Sequence, residues 1–502
     1  METFTLNIIW PWVYFGVIFM ILVIIMAFCF SEVALAFNYI KTKKQNKKFP
    51  LPATPEIKEF PFVTIQIPIF NEKYVAERVI RSAITVDYPK DKLQIQVLDD
   101  STDETVAISE KIVNELSKEG FDIILLHRKN REGFKAGALR DAMPNCKGEF
   151  VAIFDADFII QPNFLKETIP YFINPKVGMV QTRWGHLNEK YSLLTKIQSF
   201  FIDIHFSVQH TGRSAYNYFI NFNGTAGIWR KSCIEDAGGW TPDTLTEDLD
   251  LSYRAQLKGW KFKYKEGVIS PAELPAHMAG IKSQQFRWIK GGTQVGIKLF
   301  KALGSSNASF KQKWFGYTHI FAGSTYLLSF MLFVLSVPLI YIFKFTPIGV
   351  FIPYMSLFML STIAVMFTGG ISFYNTEHEV KHKFLSLIFR FSTFLLFTMG
   401  LSLNNTIATI EGITGKKSDF IRTPKFNLSN QKTNNQWSKF SYISKGLGGQ
   451  VIMEILLLLY FIFGIGLGIY YQFYHLIPLH LMLAIGYGMI VYYSIKHAII
   501  EK

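Results

Sequence analysis

Phe150-Val151-Ala152-Ile153-Phe154-Asp155-Ala156-Asp157 is an apolar run that breaks into two carboxylates spaced two apart. A short apolar run of this kind reads as a strand, and the acids mark its end. The pattern recurs upstream, where Leu93-Gln94-Ile95-Gln96-Val97-Leu98 runs into Asp99-Asp100-Ser101-Thr102-Asp103. Val63-Thr64-Ile65-Gln66-Ile67 and residues 121–126 are further β-rich runs, and helical patterns at 72–85 and 105–118 separate them. Strands alternating with helices predict right-handed βαβ units and a mainly parallel sheet. In such sheets ligands bind beyond the carboxyl ends of the strands, where both acid clusters fall.

The chain has 502 residues, too many for one ordinary domain. Apolar residues make up 49% and charged residues only 18%, below the usual quarter of a soluble protein, which fits a soluble part joined to membrane parts. The formal charge is +14. Much of the Lys and Arg lies beside apolar runs, which assigns the excess to cytoplasmic flanks of membrane segments. No zinc-finger spacing or RNA-binding aromatic motif is present, so nucleic acid is not expected as a partner. Cys29, Cys146 and Cys233 are far apart, with no CxxC pair and no histidine-rich neighbour. They read as structural thiols in a reducing compartment, not as a disulfide or zinc site.

Residues 8–30 are an almost unbroken apolar run, long enough to cross the hydrocarbon core. Trp10 and Trp12 suit the interfacial belt, and the basic run Lys41-Thr42-Lys43-Lys44-Gln45-Asn46-Lys47-Lys48 places the far end in the cytoplasm. Residues 1–40 are thus assigned to a first membrane helix, 41–61 to a basic, proline-rich linker and 62–313 to a cytoplasmic α/β domain. In the membrane region, 314–502, apolar runs occur at 317–343, 348–373, 384–403, 451–470 and 476–495. If all crossed, 411–450 would lie outside, yet it carries Lys416, Lys417, Arg422, Lys425, Lys432, Lys439 and Lys445 and belongs inside by the same rule. The run at 384–403 holds Arg390 and follows His378, Lys381, His382 and Lys383, so it is expected to lie in the interface. Five crossings of the lipid bilayer then remain, with 411–450 a cytoplasmic loop; six crossings are the alternative.

Four motifs in the hydrophilic stretch carry chemistry. In extended chain Asp155 and Asp157 point the same way and can share a hard cation, Mg²⁺ or Mn²⁺, that also binds phosphates. A solvated surface carries such pairs too; the place at a strand end is what favours the cation. In the acidic turn, Asp103 suits a helix cap and Asp100 a nucleotide or its ribose. Arg131-Glu132-Gly133-Phe134-Lys135-Ala136-Gly137-Ala138 reads as a helix start, or as a close backbone approach with Lys135 on a phosphate. In Thr246-Glu247-Asp248-Leu249-Asp250-Leu251, a capped helix with acids in its first turn explains the composition. The chemical alternative makes Asp248 a general base, ionised at neutral pH without any shift. Gln284-Gln285-Phe286-Arg287-Trp288 lies on an expected helix. It packs at the interface, or offers Trp288 as a platform for a sugar ring, Arg287 to a diphosphate and Gln284 to an acceptor chain.

Taken in this order, the motifs resemble the inverting family 2 glycosyltransferases, and within them the cellulose synthase superfamily. Gln66-Ile67-Pro68-Ile69-Phe70-Asn71-Glu72, Val97-Leu98-Asp99-Asp100-Ser101, Phe154-Asp155-Ala156-Asp157-Phe158 and Phe222-Asn223-Gly224-Thr225-Ala226-Gly227 look like the plant cellulose synthase-like A and C branches. Those branches make β-1,4-mannan or glucomannan and the glucan backbone of xyloglucan. The resemblance implies a GT-A fold, an α/β domain with a mixed sheet inserted between transmembrane helices. It implies Asp100, Lys135, Asp155 and Arg287 at the nucleotide and diphosphate, Asp155 and Asp157 at a Mg²⁺ or Mn²⁺ ion, and Asp248 as the base. Gln284, Trp288 and Glu247 would face the acceptor. Phe420-Ile421-Arg422-Thr423-Pro424-Lys425 resembles a loop that closes over the nucleotide, through Phe420, Thr423 and Lys425, although Arg422 replaces the usual Val. The implied activity is processive, inverting synthesis of a β-linked glucan or mannan from UDP-glucose or GDP-mannose onto a growing polysaccharide. Single-sugar transfer to a membrane lipid, as by ceramide glucosyltransferases, is the alternative. A non-catalytic membrane scaffold is disfavoured by the intact acids.

Overall fold

The computed structural model describes residues 2–48, 57, 59–352, 359–376, 380–418, 423–428 and 448–500. Among these residues seven strands form one sheet: β1 (Val63–Ile69), β2 (Leu93–Asp99), β3 (Asp122–His127), β4 (Phe150–Ile153), β5 (Val177–His186), β6 (Gly227–Arg230) and β7 (Lys261–Ala272). Their spatial order is 3-2-1-4-6-5-7. From β1 the chain steps outward to β3, then returns to β4 on the other side of β1. That reversal opens a crevice between the carboxyl ends of β1 and β4, the usual ligand position in an open α/β sheet.

The expected parallel pairing holds for β1, β2, β3 and β4. It fails at β6, which runs antiparallel to both β4 and β5, so the sheet is mixed. β5 and β6 are joined by a helical excursion that includes Leu193–Asp203 and His210–Ser214, and the chain returns along the crevice before entering β6 from the opposite end. Both faces of the sheet are covered. Val63, Ile65, Ile67 and Ile69 feed one apolar cluster, while Val151, Ile153, Met179 and Trp229 feed the other. The alternating Thr64 and Gln66 of β1 are also buried, and they bond across to Gln94 and Gln96 of β2 at 2.9 Å each. Buried polar side chains need such partners.

Among the described residues, five helices are long and apolar enough to cross a membrane: Ile9–Lys48, Ser324–Phe345, Lys383–Gly400, Gly449–Tyr470 and Tyr474–Ile499. That set fits a membrane protein. The first helix, Glu2–Lys48, runs on through the basic stretch at 41–48, which sequence alone had placed in a linker. Lysine and glutamine are good helix formers, and cations in a last turn complement the helix dipole. Lys383–Gly400 packs against the α/β domain: Phe394 meets Phe200 with ring centroids 5.5 Å apart, and Arg390 pairs with Glu189 at 2.8 Å. Met278–Ser305 joins the two parts. It leaves the crevice, then ties to the membrane region through Lys282–Glu454 at 2.7 Å and Lys290–Glu411 at 2.9 Å.

Candidate active site

A cavity of about 200 Å³ opens at the carboxyl ends of β1, β2 and β4. Asp100, Lys135, Asp155, Asp157, Glu247, Asp248, Gln284, Arg287, Trp288, Thr423 and Lys425 all line it. Of the residues singled out for chemistry, Phe420 lies outside the described residues, as does Arg422. Asp103 stays out of the cavity; its Oδ1 accepts the Thr105 N–H at 2.9 Å and supports the start of the helix Thr105–Lys118.

One side of the cavity is a set of matched charges. Lys135, on the helix Phe134–Ala142, pairs with Asp155 and donates to the Gly224 carbonyl at 2.8 Å. Lys425 pairs with Asp157 and donates to the Glu273 carbonyl at 2.9 Å. Asp155 and Asp157 sit on a turn after β4, not on extended chain, and the turn is closed by Phe158 N–H to Asp155 C=O at 3.1 Å. Asp100 holds Arg128 in a two-pronged pair, at 2.7 Å and 2.6 Å. Each carboxylate oxygen keeps a further lone pair for another donor.

The other side is built on two helices. Glu247 and Asp248 open the helix Glu247–Leu257. Thr246 stands at its N-cap position, but no side-chain cap bond forms and its hydroxyl is buried without a partner among the described residues. Asp248 Oδ1 accepts the Leu249 N–H at 2.9 Å. Gln284, Arg287 and Trp288 share one face of Met278–Ser305, as spacings of three and four require. Arg287 Nη2 donates to the Thr423 hydroxyl at 3.4 Å. Trp288 packs in an apolar group with Ile202, Phe206, Leu274 and Trp184.

Burial, and then the adjacent Glu247 charge, push the Asp248 carboxyl up to about 7. The expectation of an unshifted aspartate is therefore corrected: the site is dry enough to hold the proton near neutral pH. Burial also raises Glu247 and Asp155, against the pull of Lys135. For Lys135, burial disfavours the charge, but Asp155, Glu247 and Asp248 outweigh it and raise the ammonium above its ordinary value. Burial lowers the Arg287 guanidinium, opposed by the same acids.

Sequence reasoning gave no role to Glu273 and Arg78. Glu273 Oε1 accepts the Phe426 N–H at 2.8 Å, and Arg78 bonds both Asn427 Oδ1 at 2.5 Å and the Asp157 carbonyl at 3.1 Å. They strap residues 423–428 across the cavity. The available signal was Glu273 itself, an acid between Pro271 and Pro275 in an otherwise apolar run.

Among the described residues no group of three or more His, Cys, Asp or Glu side chains is placed to enclose a metal. Asp155 and Asp157 supply two hard carboxylates on the cavity wall. That donor set fits a divalent cation whose remaining ligands are phosphate oxygens and water.

Comparison with known proteins agrees with this geometry. The description "Glycosyltransferase like family 2" matches residues 61–291. Over 389 residues the chain is 36% identical to the probable glucomannan 4-beta-mannosyltransferase 3 of Oryza sativa subsp. japonica, covering 75% of this chain and 68% of that relative. The chain belongs to glycosyltransferase family 2. It is also 44% identical over 247 residues to the probable glucomannan 4-beta-mannosyltransferase 7 of the same plant, over 48% of this chain and 42% of the relative. With the glucomannan 4-beta-mannosyltransferase 7 of Arabidopsis thaliana it shares 41% over 263 residues, or 51% of this chain and 47% of the relative. This family 2 glycosyltransferase thus matches less than half the length of those two relatives. Among solved structures it is similar to the mannosyltransferase PcManGT from Pyrobaculum calidifontis, in complex with GDP-Man and Mn2+, with a TM-score of 0.51 and 18% identity over 80% of this chain and 100% of that one. The shared fold is GT-A, an α/β domain with a mixed sheet.

Proposed function

We propose that this family 2 glycosyltransferase is a processive, inverting hexosyltransferase that builds a β-1,4-linked mannan at a membrane surface. The observation that carries the reading is the single cavity in which Asp155, Asp157, Lys135, Asp248, Arg287 and Trp288 meet. GDP-mannose is the donor favoured over UDP-glucose, because the relatives matched over most of the domain are named mannosyltransferases and the solved neighbour holds GDP-Man.

The acceptor hydroxyl attacks the anomeric carbon from the face opposite the diphosphate, and Asp248 takes its proton. Inversion of an α-linked donor yields the β-linkage. Lys135, Arg287 and Lys425 surround the departing diphosphate with fixed positive charge. Asp155 and Asp157 would hold a Mg²⁺ or Mn²⁺ ion, which supplies further charge neutralisation at the diphosphate. Trp288 offers its face to the acceptor sugar, and Gln284 and Glu247 bond its hydroxyls. Asp100 faces the nucleoside.

The membrane arrangement follows the charge pattern: N-terminus outside, α/β domain in the cytoplasm, and five crossings made by the apolar run at 348–373 and the four span-length helices other than Lys383–Gly400. The Phe394–Phe200 and Arg390–Glu189 contacts hold Lys383–Gly400 against the α/β domain, which supports its interfacial position.

Membranes containing the protein, given labelled GDP-mannose or UDP-glucose with Mn²⁺ or Mg²⁺, test donor, linkage and processivity together. Label from GDP-mannose is expected in a long product that a β-1,4-mannanase digests. A lipid-extractable product with one added sugar would replace this reading by single transfer.

A further inference from the structure

Behind the cavity lies a buried polar cluster that no step above uses. Between the helices Leu193–Asp203 and His210–Ser214 the chain winds as a π-helix over Ile204–Gln209. In π winding the backbone bonds run from i to i+5, and such single turns gather at functional sites. Here the winding brings two residues five apart onto one side: the rings of His205 and His210 lie 4.5 Å apart. Both aim Nε2 at one side chain. His205 Nε2 meets Asn223 Oδ1 at 2.9 Å, and Asn223 Nδ2 meets His210 Nε2 at 2.9 Å.

Asn223 lines the cavity, and the two residues after it hold the reacting charges in place. The Gly224 carbonyl accepts from Lys135 at 2.8 Å, and the Thr225 hydroxyl accepts the Asp155 N–H at 2.8 Å. Gly224 takes its φ of +79° freely, but Ala226 is held at +54°, a strained conformation for a residue with a Cβ, so the turn needs outside support. On the far side, His205 Nδ1 meets Gln209 Oε1 at 2.8 Å, and Gln209 Nε2 donates to Glu32 Oε2 at 2.7 Å. Glu32 belongs to the first helix, Glu2–Lys48.

Proton positions follow from the partners. His210 accepts the Asn223 amide hydrogen at Nε2, so a neutral His210 carries its proton on Nδ1, which is buried without a partner among the described residues. His205 carries its proton on Nε2, donating to the Asn223 carbonyl at 2.9 Å with His210 Nε2 a second acceptor at 3.1 Å. Its Nδ1 then has two choices. It donates to the Gln209 carbonyl, making an imidazolium that burial disfavours, or it accepts from a turned Gln209 amide whose carbonyl takes a proton from Glu32. Both arrangements share one proton between His205 and Glu32, and both leave the bond to Asn223 unchanged. Leaving a buried His210 donor unpaired is costly, which argues that the cluster is kept for positioning and not for stability.

We infer that His205 is a positioning residue: through Asn223 it fixes the turn that hydrogen-bonds Lys135 and Asp155, and through Gln209 it ties that turn to Glu32 on the first helix. The inference rests on the reading of Lys135 and Asp155 as the donor-phosphate side of the site. It adds that donor-site geometry is set from the membrane-length helix.

Two substitutions separate the arms. In His205→Gln the amide reaches the Nε2 position and still donates to Asn223; in His205→Asn the shorter amide reaches Gln209 alone. Both are made in the full-length, detergent-purified protein, and melting curves check that each is folded. Hydrogen exchange of the 221–226 segment and donor kinetics are then measured. His205→Asn is expected to speed exchange in that segment and lower kcat over donor KM by about tenfold with acceptor KM unchanged. His205→Gln loses only the tie to Gln209 and is expected to speed exchange no more than Glu32→Leu does and to keep at least about a third of the activity. Glu32→Leu is expected to move both readouts in the same direction as His205→Asn, by about threefold. Equal behaviour of the Asn and Gln variants, or unchanged exchange in His205→Asn, overturns the role of His205. Unchanged exchange in Glu32→Leu cuts the tie to the first helix. A wild-type protein that transfers no hexose would sink the proposed function, while the exchange data would still judge His205.

Discussion

The two sides of the cavity handle carboxylates in opposite ways. Asp155 and Asp157 each face a lysine, Lys135 and Lys425. Glu247 and Asp248 sit together at a helix start, and burial plus mutual repulsion push Asp248 up to about 7. A compensated pair is suited to exchanging one positive partner for another, such as a lysine for a cation with its phosphates. A desolvated, poorly compensated acid is suited to accepting a proton. Under the proposed function, charge matching divides the cavity into a phosphate half and a proton-transfer half.

The sharpest break in that comparison is Asp248→Asn. It leaves the phosphate half intact and removes the proton acceptor. Transfer is expected to fall on the order of 10³-fold with donor-nucleotide binding retained, measured by product formation beside nucleotide titration. A parallel loss of nucleotide affinity would mean that the halves are not separate. Arg287→Ala strikes between them, since Arg287 feels all four acids yet touches Thr423 of the strap. Its loss is expected to lower kcat on the order of 10²-fold, as for other donors aimed at developing charge. Unchanged kinetics would remove Arg287 from the site.

The pH profile comes next in size. A base at Asp248 works only as the carboxylate, so kcat/KM is expected to rise with pH and level off above about 7, falling about tenfold per unit below it. Removing the like charge in Glu247→Gln stabilises the Asp248 carboxylate, so the acid limb is expected to shift to lower pH. A profile flat from pH 5 to 8 would contradict the proton-transfer half altogether.

These tests reach residues that differ in how plainly the sequence announced them. Asp155 and Asp157 were visible because an apolar strand that stops at two acids has few purely structural uses, and the strand order then sets them at the crevice. Gln284, Arg287 and Trp288 were visible because helical spacing turns one motif into one face. The antiparallel β6 was not, since its direction depends on the path of the long excursion before it and not on any local preference. Nor was the Asp248 shift, which comes from how deeply Met278–Ser305 and the 423–428 strap close the site, a property of tertiary packing. Arg78 and Glu273 were missed for the same reason: their partners lie some hundreds of residues away, at Asn427, or across the cavity at Phe426. Arg78 sits in a short helix whose sequence reads as an ordinary amphipathic surface.

The finest test of the comparison is Lys425→Met, because it predicts opposite signs for two ligands. Lys425 is the partner of Asp157 in the described conformation, anchored as well on the Glu273 carbonyl. A divalent cation without nucleotide must displace it, so removing the ammonium relieves that competition. Nucleotide binding instead loses a positive group that faces the diphosphate. Mn²⁺ affinity in the absence of nucleotide, followed by paramagnetic resonance, is expected to rise about fivefold, while donor KM rises by a similar factor, the worth of one hydrogen bond of about 1 kcal/mol. Aligned changes, with both ligands weakened together, would show that Lys425 holds the cavity walls in shape and is no exchangeable counter-charge. The phosphate half would then owe its character to Lys135 and Arg287.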